Sequence, residues 1–142
     1  MSNYSSTLST AIDEAVNTFN DDRTPIEGIS YEKLRRKRRE QWDEIIDSFL
    51  IEWGKNPSLL EDPDEGVLSP TNQSIRIAIG LALVMRNHDA IPPSRVVPDG
   101  EGGIAFELMR GEVFESMQVH SDCSVELLTF RNCRLLARRP IS

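Results

Sequence analysis

The chain has 142 residues, 39% of them hydrophobic and 27% charged, with 23 acidic against 16 basic side chains and a formal net charge of -7. At this length folding removes roughly 68–70% of the unfolded chain's surface from water, so a single domain over residues 1–142 is expected to build its core without disulfide or metal staples. Eight prolines and eight glycines in a chain of ordinary apolar content exclude collagen-like, mucin-like and wholly disordered classes.

In chain order, residues 1–8 precede the first periodic element and are expected to be flexible. Leu8, Ile12, Ala15, Val16 and Phe19 recur at helical spacing and predict a short amphipathic helix over residues 9–20, with Ser9 as its cap. A connector containing Pro25 and Gly28 leads to Ser30, the expected cap of a longer helix that runs to Trp53 and stops at Gly54. Trp42, Ile45, Ile46, Phe49, Leu50 and Trp53 project into an arc of about 140°, a core-facing stripe. Ile51 projects to the opposite side among Asp43, Glu44 and Asp47, as a lone surface apolar residue or as part of a second contact. Pro57, Pro63, Gly66 and four acids make residues 56–69 an exposed loop. Ser69-Pro70 reads as a cap followed by proline at the first helical position, opening a third helix to Asn87. Apolar residues cover nearly its whole circumference, so it is expected to be central, with Leu81 and Val84 buried and Gly80 admitting another backbone.

After Pro92-Pro93 the period changes from 3.6 to 2. Residues 94–97, 104–109, 112–120, 124–130 and 133–139 read as strands, separated at Asp99 to Gly103 and at Arg110-Gly111 by glycine turns. The fold class is therefore α+β: about three N-terminal helices within residues 9–87, then an antiparallel meander of four or five strands within residues 94–139. Apolar neighbours at Val113-Phe114 and Leu127-Leu128 predict a bulge or a strand covered on both faces.

The longest apolar run, Ile77 to Met85, is about half of the ~20 residues a bilayer-spanning helix needs. Residues 1–10 have neither a basic nor an apolar signal-peptide region, and the chain holds two cysteines, so a cytoplasmic location with no membrane contact is expected.

Charge is unevenly distributed. Lys33, Arg35, Arg36, Lys37, Arg38 and Arg39 place six cations in about two helical turns, and Arg131, Arg134, Arg138 and Arg139 form a second basic island. Arg35, Arg38 and Arg39 project onto the same face as the Trp42 stripe, so the amino half of the helix is expected to overhang the core by about 13 Å. Cations near a helix start oppose the macrodipole, and Glu32 to Arg36, Arg36 to Glu40 and Arg39 to Asp43 offer partial relief at i, i+4.

Sites for chemistry are sparse. Gly100-Glu101-Gly102-Gly103 lacks the following Lys-Ser/Thr of a phosphate loop, precedes a strand, and is flanked by acids that repel phosphate, so it reads as a turn. His88, Asp89, His120, Asp122, Cys123 and Cys133 have no metal-ligand spacing. His120, Asp122 and Cys123 cluster at one turn without a visible third orienting group, which argues against a nucleophile and base. Cys123 and Cys133 fall at opposite ends of an expected hairpin, about 23 Å apart and beyond a disulfide's reach.

The run Val97-Pro98-Asp99-Gly100-Glu101-Gly102-Gly103-Ile104-Ala105-Phe106-Glu107 resembles a phrase in short uncharacterised bacterial proteins, where a Pro-Asp-Gly-x-Gly-Gly-Ile turn leads into a strand meander after a helical N-terminal part. The resemblance extends over residues 70–139. It implies the fold layout and brings no activity and no catalytic or binding residue with it.

These features lead to the expectation of a small, non-enzymatic protein-binding module of bacterial type: an adaptor, an inhibitor or an antitoxin-like partner, without cofactor or metal. Its contact would be Lys33, Arg35, Arg36, Lys37, Arg38 and Arg39 against an acidic surface of another protein, with homo-oligomers possible. The alternative is a nucleic-acid-binding regulator using the same helix end and the C-terminal arginines, against which stand the acidic net charge and the lack of neighbouring aromatic stacking platforms.

Overall fold

The structure is a computed structural model and describes residues 30–141. An α-helix over Tyr31–Glu44, a π-helical stretch over Ile45–Leu50 and a further α-helical turn over Ile51–Lys55 run on as one 25-residue helix, α1. Ser30 caps it as expected, its side chain accepting from the Lys33 N–H. Helix α2 spans Asn72–Asn87. Five strands follow, β1 (Arg95–Pro98), β2 (Ile104–Arg110), β3 (Val113–Val119), β4 (Val125–Arg131) and β5 (Arg134–Pro140), in one antiparallel sheet ordered β1-β2-β3-β4-β5. The α+β class and the meander thus agree with the sequence reading. Among the described residues there are two helices; the third one expected, over residues 9–20, like the expected flexibility of residues 1–8, lies outside them.

One sheet face packs on the helices. Ile104, Phe106 and Leu108 of β2, Met117 and Val119 of β3, and Val125 and Leu127 of β4 form the core with Trp42, Ile45, Ile46 and Leu50 of α1 and Ile75, Ala78, Leu81, Ala82 and Met85 of α2. Trp42 is central: it is fully buried, its ring lies 6.4 Å from that of Phe106, and its indole N–H donates to the Ala90 carbonyl at 2.9 Å.

The π stretch corrects the expected stripe. A π turn closes i to i+5 and so inserts one extra residue, shifting the phase of everything beyond it. Leu50 is fully buried, Phe49 is swung out to 42% exposure, and Ile51, projected to the surface, packs against the core. Gly54 lies within the last helical turn, and Asn56 is the cap in its place.

Helix α2 differs from expectation too. Its cap is Thr71, not Ser69: the Thr71 hydroxyl accepts from Ser74 N while its own backbone N–H donates to Gly102 O at 3.0 Å. Leu81 is buried, but Val84 is only half-buried, and Gly80 is exposed with nothing near the position of a side chain. No backbone approaches there.

The glycine turn after β1 is a socket for the start of α2. Asp99 Oδ1 accepts from the N–H groups of Glu101 at 2.7 Å and Gly103 at 2.8 Å, and Gly100 and Gly102 take positive φ. The buried Ser74 hydroxyl donates to Gly102 O at 2.8 Å. A Cβ on Gly103 would collide with the Asp99 carboxylate and the Val119 carbonyl, so this position admits only glycine. β3 pairs without interruption through Val113-Phe114, contrary to the expected bulge, whereas Leu127 and Leu128 are both buried, one on each face. The sheet's register shift falls at Thr129/Phe130, opposite β5.

Candidate functional site

The basic island occupies the first three turns of α1 and is tied down where an overhang was expected. Helix α2 ends at His88, and Asp89 follows it in the left-handed conformation at φ 58°. Glycine usually fills this place, and Asp and Asn are the side chains that tolerate it best. The Asp89 carboxylate accepts from Arg35 Nε at 2.8 Å, and its carbonyl accepts from Arg38 at 3.2 Å. The Arg35 guanidinium also stands over the Tyr31 ring, 5.8 Å from its centroid. With the Trp42 bond to Ala90, three side chains on one face of α1 grip two adjacent residues. The hydrogen-bonded turn explains why cations occupy the face that leads into the core stripe.

The rest of the island is open. Lys33, Arg36, Lys37 and Arg39 are exposed and, among the described residues, have no ion pair. The i, i+4 relief expected for Arg39 is absent because Asp43 bonds Arg86 of α2 at 2.7 Å. Arg35, Arg36 and Arg39 share a depression of about 280 Å³ with Glu32 and Asp89. The six site residues are therefore brought together, as two anchors and four exposed cations. Sequence reasoning weighed Asp89 only as a metal ligand and missed its anchoring role; the signal was an acid just past a helix end, where a left-handed residue is due.

The other candidates are engaged locally. His120 Nε2 pairs with Glu126 Oε1 at 2.9 Å, and Arg138 bridges to the same carboxylate at 3.0 Å. Asp122 accepts from the Ser124 hydroxyl at 2.6 Å and from its backbone N–H at 2.9 Å, bonds that hold its carboxyl below the usual carboxylate range. Cys123 Sγ donates to Gln73 Oε1 at 3.4 Å, so His120 and Cys123 address different partners. Both cysteines are free thiols. Among the described residues no three His, Cys, Asp or Glu side chains converge on a metal-sized space, and no helix is long and apolar enough to cross a membrane. The N–H groups that a phosphate would need in the glycine turn are filled by Asp99.

No protein-family model matches the chain, and no curated protein or solved structure is measurably similar to it.

Proposed function

We propose that the protein is a small cytoplasmic, non-enzymatic protein-binding module, an adaptor, inhibitor or antitoxin-like partner, that presents the amino end of α1 to an acidic surface of another protein. The observation that carries this reading is the division of the basic island: Arg35 and Arg38 fasten the helix end to Asp89, and Lys33, Arg36, Lys37 and Arg39 stand exposed beside them without ion pairs among the described residues. Cations held on an anchored helix lose little further freedom on binding. They also repel one another and oppose the helix dipole, so an acidic partner relieves two unfavourable terms at once.

The test replaces Arg36, Lys37 and Arg39 by glutamate together, leaving both anchors intact. The variant is expected to melt within a few degrees of the native chain, since exposed substitutions change stability by about ±0.5 kcal/mol each. It is expected to lose every protein that the native chain captures from its host through acidic surfaces, in nuclease-treated extract. Undiminished capture would sink the reading. Retention of nucleic acid by the native chain, with affinity falling steeply as salt rises, would favour the nucleic-acid alternative. Unfolding of the variant would make the island an internal salt-bridge anchor instead.

A further inference from the structure

The basic end of α1 lies by the turn that leads into β1. At the other edge of the sheet all seven residues of β5 are exposed, and among the described residues its backbone pairs only with β4. Ile141 N donates to Val125 O at 2.7 Å, so Arg139 and Ala137, opposite Leu127 and Thr129, point their backbone groups at β4. By the alternation of an antiparallel ladder, the Arg138 N–H points away from β4, toward a strand position that none of the described strands fills.

Two further features specify what can fill it. Arg131 and Arg134 are directly opposite one another in the β4–β5 ladder, both exposed, a like-charge pair that destabilises the edge as it stands. On the face away from the helices, Met109, Phe114, Phe130 and Leu135 form one apolar row across four strands, and the first three line a groove of about 560 Å³. Glu112 is the one acid among the residues that line the groove.

We propose that β5 accepts a sixth strand from another protein: an extended segment whose alternate side chains are carboxylates facing Arg131 and Arg134 and apolar groups continuing the Leu135 row. Main-chain bonds to the open edge supply affinity, and the alternation supplies specificity. A second copy of this chain is a poor occupant, because β5 carries three arginines and no acid, so a two-fold pairing would bring six cations together. This surface is separate from the end of α1, and the proposal does not depend on the reading of that end.

The experiment titrates the full chain with a synthetic peptide of five valine-glutamate repeats, and with its valine-lysine counterpart, while following amide exchange by NMR. The glutamate peptide is expected to slow exchange at the Arg138 amide about tenfold or more, and the lysine peptide is not. Arg138→Ala removes the bridge to Glu126 but keeps the N–H, and should bind like the native chain. Arg138→Pro removes the N–H and should weaken binding about tenfold or more. The double change Arg131→Glu and Arg134→Glu should reverse the preference between peptides, and it keeps the test decisive if the proline variant does not fold. Equal binding of the alanine and proline variants, or no preference between peptides, overturns the proposal. So does an Arg138 amide already protected in the free chain: protection lost on dilution would mean a second copy holds the edge, and protection independent of dilution would mean the chain's own residues do.

Discussion

β1 and β5 are the two outer strands of one sheet, and their sequences are alike: each begins with arginine, continues with two branched aliphatic residues and ends in proline. Their surroundings are opposite. Beyond Arg95, β1 is half-buried, and Val96 shares a cleft of about 520 Å³ with Ile45 and Phe49 of α1 and with Pro92 and Pro93. Arg95 is clasped by both oxygens of the buried Glu107, at 3.0 and 3.2 Å, whereas the cross-strand neighbour of Arg134 is another arginine, Arg131. Strand formation is thus a local property, written in aliphatic and β-branched residues between turn signals. Which edge is covered depends on where a distant helix is pinned.

Removing the pin should break the contrast most strongly. Trp42→Ala empties the space between α1, Phe106 and Ala90 and should destabilise the fold by about 3–5 kcal/mol in urea denaturation. In the same variant the β1 amides should exchange at rates approaching those of β5. Phe49→Ala, seven residues on in the same sequence stripe, should cost below about 1 kcal/mol because the π turn has carried the ring outward. Equal losses at the two positions would mean that α1 keeps a regular α-helical register in solution.

That pair of residues also marks how far the sequence could be read. The five strands are legible within a residue or two, because alternation and glycine turns are local signals that the sheet left undisturbed. The Ser30 cap and the first part of the stripe, Trp42, Ile45 and Ile46, are legible because they too are local signals. The π stretch is not, since projection at a fixed angle assumes one helical pitch, and the extra residue leaves Ile45, Ile46 and Leu50 buried together. The true cap of α2 escaped notice because Thr71 is chosen over Ser69 by a bond to Gly102, about thirty residues away. Of the candidate site, the six cations were legible as a cluster. Their division into anchors and free charges was not, because it rests on Asp89, and nothing in the sequence joins positions 35 and 38 to 89 until α1 and α2 lie side by side.

A smaller effect sharpens the comparison of the two edges. Val96→Ala should cost about 1 kcal/mol, the transfer free energy of roughly one or two partly buried methyl groups. Leu136→Ala should change stability by no more than about 0.5 kcal/mol, since Leu136 is 58% exposed. Thermal or urea melts of the two variants side by side would check this. A loss at Leu136 as large as that at Val96 would show that β5 is covered in the folded chain.

The least costly change probes the tie that brings α1 to the β1 side. Asp89→Asn keeps a residue that tolerates φ 58° and keeps the carbonyl that accepts from Arg38, so it removes only the charge opposite Arg35. Arg35 is half exposed, and an ion pair so placed is worth below about 1 kcal/mol. The difference from the native chain should shrink further in about 1 M salt, where screening acts within about 3 Å. The freed guanidinium joins the exposed cations, so affinity for an acidic protein surface should hold or rise as stability falls slightly. That opposite movement separates an anchor from a binding residue: if Asp89→Asn lowers stability by more than about 2 kcal/mol, the start of α1 depends on this one ion pair, and the four neighbouring cations no longer have a fixed platform from which to act.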